Sequence, residues 1–145
     1  MRYLAIDLGT KRIGLALSDP DGVIALPLRV LERKGGAADL KEIAGIACDY
    51  EVGAIVVGLP INLRGEHGPA AQAALAQVEA LRGLVEVPVS VYDERMTTAV
   101  ADRGMRASGL DGRQRRAVVD KVAATVLLQS YLDHRRREHG STTQT

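Results

Sequence analysis

Tyr3-Leu4-Ala5-Ile6-Asp7-Leu8-Gly9-Thr10-Lys11-Arg12-Ile13-Gly14-Leu15-Ala16-Leu17-Ser18-Asp19 is the stretch on which the fold turns. Tyr3 to Leu8 is apolar except for Asp7, Gly9 to Arg12 has the composition of a turn, and Ile13 to Leu17 is apolar again. Ser18-Asp19-Pro20-Asp21-Gly22 closes the second run with a strong turn signal. A third apolar run, Val23 to Leu31, contains Pro27, which marks a bulge or an edge position. Three strands joined by two short turns predict an antiparallel meander.

Beyond Leu31 the period changes. From Ala38 to Tyr50, Leu40, Ile43, Ala44, Ile46 and Ala47 recur at helical spacing, with Asp39 placed to help the first turn. Val52 to Leu59 is a continuous apolar strand, and a loop from Ile61 to Gly68 follows. Pro69 opens an Ala-rich helix reaching about Leu84, and Val87 to Tyr92 is a further strand. Thr97 and Thr98 can cap a helix to about Arg106, and a long last helix runs from about Arg113 to Arg137. Strands alternating with helices in this half require parallel crossovers. The expected fold is therefore α/β: a mixed five-stranded sheet, three antiparallel strands plus two parallel ones, flanked by helices. One domain over residues 1–138 and a disordered tail at 139–145 complete the expectation.

Composition narrows the function. No apolar run approaches the length of about 20 residues that a membrane helix needs, and the N-terminus lacks the features of a signal peptide. The single cysteine, Cys48, excludes an intrachain disulfide and a cysteine-based zinc site. These features describe a soluble cytoplasmic protein without a membrane partner. With four Tyr and no Phe or Trp, the chain has little aromatic surface on which to stack single-stranded bases. Residues 1–94 hold nine Lys/Arg against thirteen Asp/Glu, and residues 95–145 hold ten against five. The halves thus carry −4 and +5, an asymmetry that favours a polyanionic partner such as nucleic acid. Arg113, Arg115, Arg116 and the run Arg135-Arg136-Arg137 carry much of the basic excess, although arginines also simply solvate helix faces.

Three acids stand where acids are costly. Asp7 lies inside an apolar strand, and a buried carboxylate requires a cation or hydrogen bonds. Gly9 beyond it permits either close approach of a ligand or a sharp exit from the strand. Asp93 and Glu94 follow an apolar strand whose C-terminal end is where open α/β sheets place ligands. Alternation puts these two on opposite sides of the chain, so one of them faces a given site, and the local sequence leaves open which. On the last helix, Ala123, Ala124, Leu127 and Tyr131 lie three, four, seven and eleven residues beyond Asp120, so this carboxylate shares an apolar face. Such a cluster suits hard cations, Mg²⁺ or Mn²⁺, and a pair of ions would serve phosphodiester hydrolysis. Basic side chains on the final helices, Arg113, Arg115 and Arg116 among them, would hold the flanking phosphates.

Asp7-Leu8-Gly9-Thr10-Lys11-Arg12-Ile13-Gly14 with Ser18-Asp19, then Val57-Gly58-Leu59-Pro60 with Asn62, Gly65 and Gly68, then Asp93-Glu94-Arg95-Met96-Thr97-Thr98, and finally Asp120-Lys121-Val122-Ala123-Ala124 with Leu128-Gln129-Ser130-Tyr131-Leu132 together resemble the RuvX/YqgF family. The match runs in order over about residues 2–133, and Arg64 departs from the usual loop composition. The resemblance implies an RNase H-like fold with Asp7, Glu94 and Asp120 as catalytic acids and metal ligands, which favours Glu94 over Asp93. It makes Lys11, Arg12 and Arg95 candidates for contacting phosphate or orienting the carboxylates. Gly58, Leu59, Pro60 and Asn62 would shape the mouth of the site. Family members are described as nucleases maturing the 5′ end of the small-subunit ribosomal RNA precursor, or as Holliday junction resolvases. The expected role is the first, with the second as alternative; a resolvase would need a two-fold homodimer to cut two strands symmetrically.

Two other classes compete. Asp7-Leu8-Gly9-Thr10 also resembles the phosphate loop of actin-like and sugar-kinase-like ATPases, but those use two such units and 145 residues supply one. A non-catalytic nucleic-acid-binding module would use the basic C-terminal part and keep the acids as ion-pair partners. Cys48 is expected as a small buried hydrophobe, and His67, His134 and His139 as solvated side chains.

Overall fold

Tyr3–Leu8 forms β1, Arg12–Ser18 forms β2 and Ala25–Glu32 forms β3, an antiparallel meander as its two turns predicted. The computed structural model of the chain describes residues 1–60 and 68–93 and the backbone of residues 112–143, with side chains in that last segment from 122 to 138. After the meander come α1 (Ala37–Asp49), β4 (Ala54–Leu59), α2 (Pro69–Arg82), β5 (Val89–Asp93) and a long helix, α3 (Gly112–Thr143). Strand order is β3-β2-β1-β4-β5, and β4 runs parallel to both β1 and β5. The mixed five-stranded sheet expected from the sequence is the one observed, with β1 at its centre. The predicted helix between residues 97 and 106 lies outside the described residues.

Alternation along the strands divides the core in two. Leu4, Ile6, Ile13, Leu15, Ile55 and Val57 pack against Leu40, Ile43 and Ile46 of α1 and Val78 and Leu81 of α2. Ala5, Ala16, Ala25 and Val56 face the other way, against Ala124, Leu127, Leu128 and Leu132 of α3. The central strands are covered on both faces, which is why β1 and β4 read as nearly continuous apolar runs. The buried stripe of α3 is centred on Ala124 and Leu128, so Ala123 and Tyr131, expected on it, are half-buried at its margin.

Element boundaries differ from the periodicity where side chains or loops intercept the backbone. The amides of Val23 and Ile24 donate to Asp19 Oδ1 at 2.7 and 2.8 Å, so β3 begins only at Ala25. Those bonds, that from Ile24 first, hold the Asp19 carboxyl below its ordinary value. Pro27 lies on an edge strand and beside a register shift at Leu15/Ala16, so both readings of it hold. At the end of α1, Glu51 donates to the Cys48 carbonyl and Val52 to the Ala47 carbonyl, which delays β4 to Ala54. This is a Schellman-type stop in which Glu51, with φ 53°, occupies the left-handed position that usually carries glycine. Cys48 is exposed, contrary to expectation: Ile43, Ile46 and Ala47 form the buried side, and Cys48 is turned away from it. The last helix continues through Thr143 rather than ending at Arg137, since extending a formed helix needs no new nucleus.

Candidate active site

Asp7 is the next-to-last residue of β1 and lies two positions beyond Ala5, so it shares the face covered by α3. Its carboxylate is half-buried at the C-terminal end of the sheet's central strand. On β2 its register partner is Gly14. On β4, Ile6 pairs with Val57, and the next residue is Gly58. The strand positions flanking Asp7 on both sides therefore carry no side chain. Asp7 is thus set between two glycine positions on the face beneath α3.

The turn after Asp7 is tightly built. Gly9 donates to the Arg12 carbonyl at 2.9 Å, and a β-carbon at Gly9 would meet that oxygen at 2.6 Å. Of the two uses proposed for Gly9, the sharp exit from the strand is the one observed. Lys11 is exposed in the turn and Arg12, half-buried, opens β2 opposite Glu32.

Two residues that sequence reasoning did not associate with this turn hold it from outside. Arg33 Nη1 donates to the Gly9 carbonyl at 2.7 Å, and the Arg33 amide donates to the Lys11 carbonyl at 2.9 Å. Arg33 is backed by Asp39, whose Oδ2 lies 4.0 Å from its Nε. Asp39 is only 2% exposed and accepts from the amides of Lys34 (3.0 Å) and Gly35 (2.9 Å). The Lys34 amide is the main influence holding its carboxyl below the ordinary value, against burial, with Gly35 and the Arg33 charge assisting. Gly35 and Gly36, at φ 86° and 65°, fold the chain back so that α1 returns Asp39 to this loop. Asp39 thus does more than favour a helix start, and only its unusual burial for a carboxylate signals it.

The other predicted residues are placed unevenly. Asp93 ends β5 in register with Leu59, on the side of Val89, which belongs to the α1/α2 core. Tyr92 lies on the α3 side. Asp120 lies in the backbone of α3 one turn before Ala124, and Arg113, Arg115 and Arg116 lie in its first turns; their side chains are outside the described part. Glu94, Arg95 and Asn62 fall outside the described residues, as does His67. His134 is exposed beside Glu138 at 3.7 Å, in keeping with a solvated role. Among the described residues no group of three His, Cys, Asp or Glu could hold a metal ion, and no helix is long and apolar enough to cross a membrane.

Polar anchors fix α3 over the sheet. Gln129 accepts from the Ala25 amide at 2.9 Å and donates to the Val23 carbonyl at 3.0 Å. At the opposite side Tyr92 Oη lies 2.8 Å from Ser130 Oγ. One helix turn is thereby tied to both β3 and β5. An amide beside a buried stripe was the available sequence signal for Gln129.

This sheet order, with its helices on both faces, is an RNase H-like fold, and it is shared with Holliday junction resolvases. The structure of T. thermophilus RuvC in complex with Holliday junction substrate matches with a TM-score of 0.58 at 18% identity, over 94% of this chain and 96% of that one. The fowlpox virus Holliday junction resolvase matches with a TM-score of 0.53 at 13% identity, over 92% and 99%. The model of the family described as "RuvX: Holliday junction resolvase" matches residues 1–134. A protein of Rhodococcus jostii (strain RHA1) is 45% identical over 141 residues, covering 94% of this chain and 79% of its own. One of Desulforudis audaxviator (strain MP104C) is 45% identical over 136 residues, covering 94% and 96%. Both bear the name "Putative pre-16S rRNA nuclease". The chain belongs to the RuvX family.

Proposed function

We propose that this protein is a metal-dependent endonuclease that hydrolyses phosphodiesters of structured nucleic acid, with Asp7, Glu94 and Asp120 as its acids. Its proposed substrate is the 5′ region of the 16S ribosomal RNA precursor, as the names of its relatives suggest, and its proposed location is the cytoplasm. The observation that carries this reading is Asp7 on the α3 face of the central strand, between two glycine positions.

The other two acids fit by position. Tyr92 shares the α3 face and Asp93 lies on the other, which is why Glu94 rather than Asp93 is the acid proposed here. Position 120 precedes the buried Ala124 by one turn of the same helix. Mg²⁺ or Mn²⁺, as a pair, would be held by these three carboxylates. Bound there, such ions supply a more acidic attacking water and stabilise charge on the leaving oxygen. The donor set of hard carboxylate oxygens, with no cysteine in the elements around Asp7, suits them. The chain's own task is positioning: the sheet fixes Asp7, while Lys11, Arg12 and Arg95 orient the phosphates nearest the cut. Asn62 would line the mouth, and Arg113, Arg115 and Arg116 would hold phosphates further along.

Cleavage of matched labelled substrates tests the reading: precursor-like RNA, single-stranded RNA and DNA, and a four-way DNA junction, each with Mg²⁺, Mn²⁺ or chelator. The expected result is metal-dependent cutting of the precursor-like RNA. The family description favours a second reading, junction resolution. Preferred symmetric cutting of the four-way junction by a two-fold dimer would establish it instead. Binding without cleavage under every metal condition would leave a nucleic-acid-binding module.

A further inference from the structure

Three elements meet at Arg33. It ends the meander just past β3, its guanidinium reaches the Gly9 carbonyl at 2.7 Å, and its Nε faces Asp39 of α1 at 4.0 Å. The carbonyl it engages belongs to the residue two beyond Asp7. Pairing of β1 with β2 runs up to Leu8↔Ile13, so residues 9–11 lie past the ladder and rely on other bonds. These include the Gly9–Arg12 bond, at 2.9 Å, and the two made by Arg33. Arg33 is itself kept from swinging free, since Asp39 is buried and is locked by two amides. A planar guanidinium with fixed donors can engage a carbonyl and a carboxylate at once; an ammonium on a flexible stem cannot reproduce that fork.

We propose that Arg33, anchored by Asp39, is a positioning residue for the hydrolytic reaction: it holds the turn after Asp7 so that Lys11 and Arg12 meet the substrate phosphates in a fixed orientation. This rests on the reading of Asp7 as a catalytic acid. The predicted consequence is a loss expressed mainly in kcat, because a loosened turn still carries its charges but no longer aims them.

Arg33→Ala, Arg33→Lys and Asp39→Asn are compared with Val52→Ala, which removes buried volume just before β4, at the opposite end of the parallel strands from the turn. Thermal unfolding, kcat and KM, and amide hydrogen exchange across residues 8–12 are measured on each full-length protein. Arg33→Ala should lower kcat about 10–100-fold, as loss of residues that orient a site commonly does, with a much smaller change in KM. It should raise exchange in the turn without raising it in β4. Arg33→Lys should recover stability but little of kcat, and Asp39→Asn should fall between. Val52→Ala should lose stability and keep kcat. An unchanged kcat and unchanged turn protection in Arg33→Ala would overturn the proposal, as would full recovery of kcat by Arg33→Lys. Should the wild type cleave nothing, the nuclease reading fails separately. Exchange then decides the brace: local deprotection in Arg33→Ala upholds it, and its absence rejects it.

Discussion

The two faces of the sheet are built from the same strands and have opposite character. The α1/α2 face is lined by Leu4, Ile6, Ile13, Leu15, Ile55 and Val57, all essentially inaccessible, and by large aliphatics from both helices. The α3 face presents Ala5, Ala16, Ala25 and Val56, then Asp7 between Gly14 and Gly58. Volume is concentrated on one side and removed from the other. The first face contributes most of the hydrophobic stabilisation. On the second, small residues let α3 approach closely, and a carboxylate stands between two glycine positions.

That contrast can be broken in order of effect. Glu94→Gln and Asp120→Asn should each reduce cleavage on the order of 10³-fold or more while leaving the unfolding transition nearly unchanged; Asp93→Asn, on the other face, should cleave nearly normally. Ile6→Ala, on the aliphatic face, should cost about 2–5 kcal/mol in denaturant unfolding, with the folded fraction still active. Ala16→Leu, on the opposite face, should cost about 1–3 kcal/mol by overpacking and should also impair cleavage, because α3 must move away from the sheet. Equal activity in those two variants at matched folded concentration would contradict the division.

Two smaller effects lie outside the faces. Asp39 has a folded-state value below that of an unfolded carboxyl, about 3.9, so its contribution is complete above that pH and is lost as pH falls through the folded value. Asp39→Asn should therefore be less stable than wild type at neutral pH, and the gap should close below about pH 4. A gap that stays constant across an acid series would mean that the carboxylate charge is not what matters. Glu51→Gly should stabilise by about 1 kcal/mol, since an L-residue in the left-handed region is strained there; a lower melting temperature would show Glu51 making a compensating contact.

Much of this architecture is legible in the sequence because period and turn chemistry agree. Asp7 stands out as a charge within an apolar strand, Pro69 sits where helix starts accept proline, and β4 reads as a doubly covered strand. What escapes is set by contacts distant in sequence or by side chains acting on the backbone. Asp19 captures two amides that would otherwise extend β3. Gln129 reaches across 104 residues to the Ala25 amide, a partnership no local pattern encodes. Arg33 looks like a surface charge until Gly35 and Gly36 turn the chain and bring Asp39 behind it. The choice between Asp93 and Glu94 could not be made from the local sequence alone, because alternation puts them on opposite sides of the chain without saying which side carries the site, and Glu94 lies outside the described residues.

Cleavage of precursor-like RNA in Mn²⁺ by wild type and Asp7→Asn, with thermal unfolding of both samples measured alongside, tests the role of Asp7 directly. Metal-dependent cutting by the wild type, lost in Asp7→Asn while its melting temperature is kept or raised by removal of a half-buried charge, is the predicted result. Full cleavage by a well-folded Asp7→Asn protein would contradict the account.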